Sequence, residues 1–146
     1  MILLDANLLL YAYVPESEHH GPARAWVEKI FSGIEPVRIA WVTLLAFLRL
    51  STDSRLFRYP YSVAEGVSLV SDWLSHPAVG ILHPEERHWA IFSKLLLASQ
   101  ARSDLVMDAH LAALAIEHGA ILCTNDKDFT RFPGLRVEFP LESSRP

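Results

Sequence analysis

Apolar positions in this chain fall into two patterns, short unbroken runs and longer stretches with helical spacing. Met1-Ile2-Leu3-Leu4, Val37-Arg38-Ile39-Ala40, Val79-Gly80-Ile81-Leu82 and Ala120 to Cys123 have the length and composition of buried parallel strands. Leu135 to Phe139 reads as a last, edge strand. The intervening stretches predict helices. Asp5-Ala6-Asn7 is an N-cap signal ahead of Leu8-Leu9-Leu10-Tyr11, and Pro22 to Phe31 keeps helical spacing until Gly33 and Pro36 stop it. Thr43 is placed to cap a helix running to about Leu50. Pro60 and Ser62 introduce another, with Val63, Val67, Val70 and Leu74 on one stripe, ended by His76-Pro77. Pro84 opens a helix carrying Trp89, Phe92, Leu95 and Leu96; an Ala-rich helix follows Asp104 and stops at Gly119. Asp126 to Phe132 is a short turn or helix. Strands alternating with helices predict an α/β fold whose mainly parallel sheet is covered on both faces.

Composition narrows the class. The chain has 146 residues, 51% of them hydrophobic, enough for one domain that buries roughly two-thirds of its unfolded surface. No repeat or Gly/Ser-rich linker divides it, so residues 1–146 read as a single domain, with about 141–146 as a flexible tail. No apolar run approaches the ~18 residues of a membrane span. The first residues lack a basic leader region and read as a strand, so a cytoplasmic protein with no membrane partner is expected. A formal charge of −4 excludes a general nucleic-acid binder, and any such contact must be local. Cys123 lies in an apolar run and reads as core.

Three aspartates carry the chemistry. Asp5 and Asp126 stand where a strand gives way to a turn or helix, and capping alone would explain each. Asp108 is harder to explain that way: helical spacing puts it with Leu111, Ala112 and Ala115, and an ionised carboxylate on a small apolar stripe is costly without a partner. Open parallel sheets place ligands at the carboxyl ends of their strands, where Asp5 and Asp126 emerge. Gathered carboxylates repel, and a cation such as Mg²⁺ relieves them while offering a site for phosphate. A water activated there can attack a phosphodiester without any protein nucleophile.

Leu4-Asp5-Ala6-Asn7, Asp108-Ala109 with its Ala-rich helix, and Thr124-Asn125-Asp126-Lys127-Asp128-Phe129 together resemble the PIN-domain family, specifically its VapC-type ribonuclease toxins. Weaker similarity extends over the His20…Trp26 segment, Ala46-Phe47-Leu48-Arg49 and Phe132-Pro133-Gly134-Leu135. The resemblance implies a three-layer α/β/α fold and an endoribonuclease using Mg²⁺, or Mn²⁺ in its place. It makes Asp5, Asp108 and Asp126 the metal-site and catalytic residues, with Asn7 and Thr124 orienting carboxylates or water. It also implies a VapB-type antitoxin that blocks the site, an RNA substrate and a homodimeric toxin. One departure stands out: Ala46 occupies the position where many relatives carry a glutamate. Asp104, one turn before Asp108, either contributes charge in its place or caps the helix. Asp128 either joins the acids or faces solvent as a turn residue.

Arg49 sits among Leu44, Leu45, Phe47, Leu48 and Leu50, so its guanidinium either pairs with the acids or meets phosphate. Arg55 and Arg58 read as loop charge. The histidines, including adjacent His19 and His20, lack the spacing of a zinc site or a nucleophilic triad. Two other functions compete. An aspartate-nucleophile phosphohydrolase would use Asp5, although Asn7 replaces the expected proton donor. A decayed RNA- or protein-binding module would follow from the loss at Ala46.

Overall fold

The five apolar runs form five strands, β1 (Ile2–Leu4), β2 (Val37–Ala40), β3 (Val79–Leu82), β4 (Ile121–Cys123) and β5 (Val137–Glu138). The computed structural model describes residues 1–142. Every pairing in the sheet is parallel, in the order β3-β2-β1-β4-β5, with Leu3 opposite Arg38 on one side and Leu122 on the other. Parallel neighbours need crossover connections, and helices supply them. These are α1 (Ala6–Tyr13), α2 (His20–Phe31), α3 (Trp41–Ser51), α4 (Val63–Ser75), α5 (His88–Ser99) and α6 (Leu105–His118). Lys127–Arg131 is a 3₁₀ turn.

Alternation along the strands sorts the core into two layers. Ile2, Leu4, Val37 and Ile39 pack with Leu8, Leu9, Val27, Phe47 and Trp73 from α1 to α4. Leu3, Ala40, Leu82 and Leu122 pack on the other face with α5, α6 and Phe129. The fold is therefore the expected α/β/α sandwich. Leu3, Leu4 and Leu122 are fully buried, each contributing about 1.5–3 kcal/mol by leaving water. Leu141 also packs into the first layer, while residues 143–146 of the expected tail lie outside the described residues. Among the described residues no helix is long and apolar enough to cross a membrane.

Local expectations are corrected at three helices. Helix α3 begins at Trp41, directly off β2, so Thr43 is inside it; its buried hydroxyl donates to the Leu4 carbonyl at 3.3 Å instead of capping. The stripe expected on α4 is split. Val63 is 74% exposed and Val67 53%, whereas Gly66 and Trp73 are buried. A Cβ at Gly66 would stand 3.1 Å from Leu48 Cδ2, so this glycine lets α4 approach α3 closely and rolls its contact face toward Trp73. Asp104 occupies the N-cap position of α6 yet makes no side-chain capping bond. Ser62, by contrast, forms a full capping box with Glu65. Gly119 ends α6 in left-handed backbone at φ 66°, which favours glycine.

Candidate active site

The chain starts in the middle of its sheet, adds β2 and β3 on one side, then returns to add β4 and β5 on the other. The switch point lies between β1 and β4, and ligands of open parallel sheets bind at the carboxyl ends there. Asp5 follows β1 and caps α1, its Oδ1 accepting the Ala6 N–H at 2.7 Å. Thr124 follows β4 and is fully buried. Its hydroxyl donates to Asp5 Oδ2 at 2.7 Å and accepts from Asn7 Nδ2 at 3.3 Å and the Asp126 N–H at 3.0 Å. One donor and two lone pairs are all a threonine hydroxyl has, so every one is used. Asn7 closes the bridge by accepting the Asn125 N–H at 3.3 Å.

Asp108 enters from the opposite layer, in the first turn of α6. With Asp5 it lines a cavity of about 160 Å³, walled by Val42, Thr43, Ala46 and Arg49 of α3 and by Met107 and Leu111 of α6. Burial pushes the Asp108 carboxyl up to about 6; the charges of Asp5, Asp126 and Asp128 push the same way, and that of Arg131 opposes. Burial also raises Asp5, with the Asp126 charge adding to it, while the bonds from Thr124 and Ala6 pull it down. The acids thus feel one another across the switch point. Among the described residues, however, no three acidic, histidine or cysteine side chains already form a coordination sphere. The grouping is one of charge and shared cavity, with Asp5 and Asp108 facing the same space.

Asp126 does not line that cavity; it is tied in through Thr124, and its Oδ1 caps the 3₁₀ turn by accepting the Asp128 N–H at 2.9 Å. Asp128 is exposed and paired with Arg131 at 3.6 Å, though its charge still reaches Asp108. Asp104 is exposed and is not one of the charges that raise Asp108. Ala46 and Arg49 both face the cavity. Thr43, Met107 and Arg131 also belong to this neighbourhood, and the sequence reading did not assign them there. For Thr43 a signal existed, since it stands one helical turn before Ala46 on the same face. Elsewhere, Cys123 is buried and its thiol is pushed up to about 12, as a core residue requires. His20 binds the Tyr11 carbonyl at 2.9 Å, which fits its place at the start of α2.

Hard oxygen donors suit Mg²⁺ or Mn²⁺, and Mg²⁺ is commonly held by only one or two carboxylates, keeping several waters. A pair of acids on a small cavity, one of them raised by burial and then by its neighbours' charge, fits that requirement.

Comparison with known proteins identifies the family. The PIN domain profile matches residues 2–135. Ribonuclease VapC37 of Mycobacterium tuberculosis is 44% identical over 140 residues, covering 96% of this chain and 97% of that protein. Ribonuclease VapC33 of the same organism is 36% identical, covering 97% and 99%. Among solved structures, VapBC2 from Rickettsia felis bound to a promoter DNA fragment superposes with TM-score 0.69 at 20% identity, covering 94% of this chain and 98% of that one. M. tuberculosis VapC20, a sarcin-ricin loop cleaving toxin, gives 0.65 at 20%, covering 93% and 99%. The structural matches establish the shared fold, and the family profile with the sequence relatives establishes descent: the chain belongs to the PIN-domain family, among its VapC members.

Proposed function

We propose that this chain is a metal-dependent endoribonuclease of the VapC type, restrained by a VapB-type antitoxin. The observation that carries the reading is the cavity shared by Asp5 and Asp108, whose carboxyls are both raised by burial there, with the Asp5 charge adding to the rise at Asp108. Relatives named as VapC ribonucleases and fold neighbours solved as VapBC complexes support the activity and the partner.

Asp5 and Asp108 would hold a divalent cation, with Asp126 adding charge beside them. Such a cation supplies charge neutralisation and an activated water for attack on an RNA phosphodiester. The chain's own residues do the positioning. Thr124 fixes Asp5 Oδ2, the Ala6 N–H fixes Oδ1, and Asn7 braces Thr124, so the carboxylate cannot swing away. Val42, Met107 and Leu111 give the cavity an apolar wall beside the two carboxyls. The two oxygens of Asp5 are both engaged and Asn7 is a bracing amide, so the structure offers no support to an aspartate nucleophile.

The test uses protein purified free of antitoxin and incubated with total RNA in Mg²⁺, Mn²⁺ or EDTA. Cleavage is expected with either cation and not in EDTA. Asp5→Asn and Asp108→Asn should each lower it at least about a hundredfold while leaving the fold intact, the scale of losing an electrostatic anchor in an active site. Metal-independent cleavage, or a folded Asp108→Asn protein with wild-type activity, would falsify the assignment. If no metal binds at all in a titration, the decayed binding module is the better reading.

A further inference from the structure

We infer that Arg49 is the phosphate-binding residue of this site, and that Ala46 is what leaves it available. The inference rests on the ribonuclease reading and deepens it.

A phosphodiester is an anion, and it must enter a cavity whose floor is already acidic. Beside the divalent cation, a positive side chain at the cavity would offset that repulsion and hold the strand. Val42, Ala46 and Arg49 recur at helical spacing along α3 and present one face to the cavity that Asp5 and Asp108 line. At about 160 Å³ the cavity holds several waters of roughly 30 Å³ each, which is room for a phosphate group beside a hydrated cation.

Three other cations are already committed. Arg131 donates through Nε to the Asp128 carbonyl at 3.1 Å and pairs with that carboxylate at 3.6 Å. Lys127 is bound to Glu142 and lies over the Phe139 ring. Arg55 grips Asp53 through Nε at 3.1 Å and Nη2 at 3.0 Å. Arg49 is exposed at the cavity, and no carboxylate of the described residues lies within ion-pair distance of it. Its charge does reach Asp53, but as the smallest of the influences on a carboxyl that Arg55 already holds. A glutamate at position 46 would stand one helical turn from Arg49 on the same face and would pair with it. Alanine there removes the competitor and opens space, so the guanidinium keeps its planar fork for two oxygens of a phosphate.

The test measures binding apart from cleavage. A labelled single-stranded RNA is titrated in EDTA at several salt concentrations, and cleavage by the same proteins is followed in Mn²⁺. Arg49→Gln should weaken binding about tenfold and reduce the salt slope by about 0.7, the contribution of one single-strand phosphate contact. Arg49→Lys should recover part of the affinity, because charge remains without the fork. Ala46→Glu, with Arg49 intact, should weaken metal-free binding as much as Arg49→Gln. Arg55→Gln serves as the control and should change little.

Unchanged affinity and slope in both folded Arg49→Gln and Ala46→Glu would overturn the inference. If these two bind normally while Asp108→Asn abolishes cleavage, the inference falls alone and the ribonuclease reading stands. If the wild-type protein neither binds nor cleaves RNA, both fall together.

Discussion

Thr124 holds the site together with one hydroxyl. It has no solvent exposure, it is the donor to Asp5, and it accepts from both Asn7 and the Asp126 backbone. Replacing it with valine keeps the shape and leaves those partners unsatisfied, at a cost of about 1–3 kcal/mol. Thr124→Val should therefore lower the melting temperature and raise the Asp5 carboxyl further, since the Thr124 bond is what most opposes its burial. Thr124→Ser should restore both. A valine variant that melts and cleaves like wild type would show that the hydroxyl is dispensable. At this scale the sequence was informative about chemical type: Asp5 and Asp108 line one cavity, and Asn7 and Thr124 are hydrogen-bonded into the network that holds Asp5. It could not tell cavity-lining Asp108 from cavity-excluded Asp126, because that depends on how α6 approaches the sheet. The capping and charge-cluster readings were also not exclusive, for Asp5 and Asp126 both cap and both act on the other acids.

Among the elements, strands and helix stops were legible because Gly, Pro and capping residues act locally. The face of a helix that packs is decided by its neighbours, and there α4 misled: its valine stripe was visible, but Gly66 against Leu48 turned the helix toward Trp73. The contact of α5 with α6 was equally hidden, since its polar centre joins residues far apart in sequence. His88 Nε2 lies 2.9 Å from His110 Nδ1, and Glu117 Oε1 stands 3.8 Å from His88 Nδ1. Burial lowers the pKa of both histidines, outweighing the Glu117 charge that pulls His88 upward. For a histidine whose folded pKa lies below its ordinary 6.5, the unfolded chain takes the proton first. Stability from this pair is therefore whole above pH 6.5 and is lost as pH falls below it. The melting temperature should drop on acidification from pH 7 through 6, and His88→Gln should flatten that drop. A slope unchanged by the substitution would place the sensitivity elsewhere.

For the whole molecule, strand and helix alternation was enough to predict the layered fold, whereas the order β3-β2-β1-β4-β5 had to come from tertiary packing. That order draws acids from both ends of the chain to one point, and the folded state carries the cost of burying Asp108 together with the repulsion of its acidic neighbours. Asp108 makes the consequence measurable. Its carboxyl titrates at about 6 in the fold against an ordinary 3.8, so between these values the unfolded chain ionises while the folded one stays protonated. The metal-free protein loses stability as pH rises through that window and bears the full cost above it. Asp108→Asn should then melt higher than wild type at pH 7.5 in EDTA, and the difference should shrink as pH falls from 6 toward 4. A cation that binds only the folded state adds RT ln(1 + [L]/Kd), about 2.7 kcal/mol at a hundredfold excess over Kd. Mg²⁺ should accordingly raise the melting temperature of wild type and raise that of Asp108→Asn much less, with sodium at matched ionic strength separating site binding from screening. Independent helix caps predict the opposite pattern: asparagine caps as well as aspartate, so neutralisation would leave stability almost unchanged and Mg²⁺ would act no differently from sodium. Melting curves with that second pattern would mean that the acids at the switch point do not act as one site.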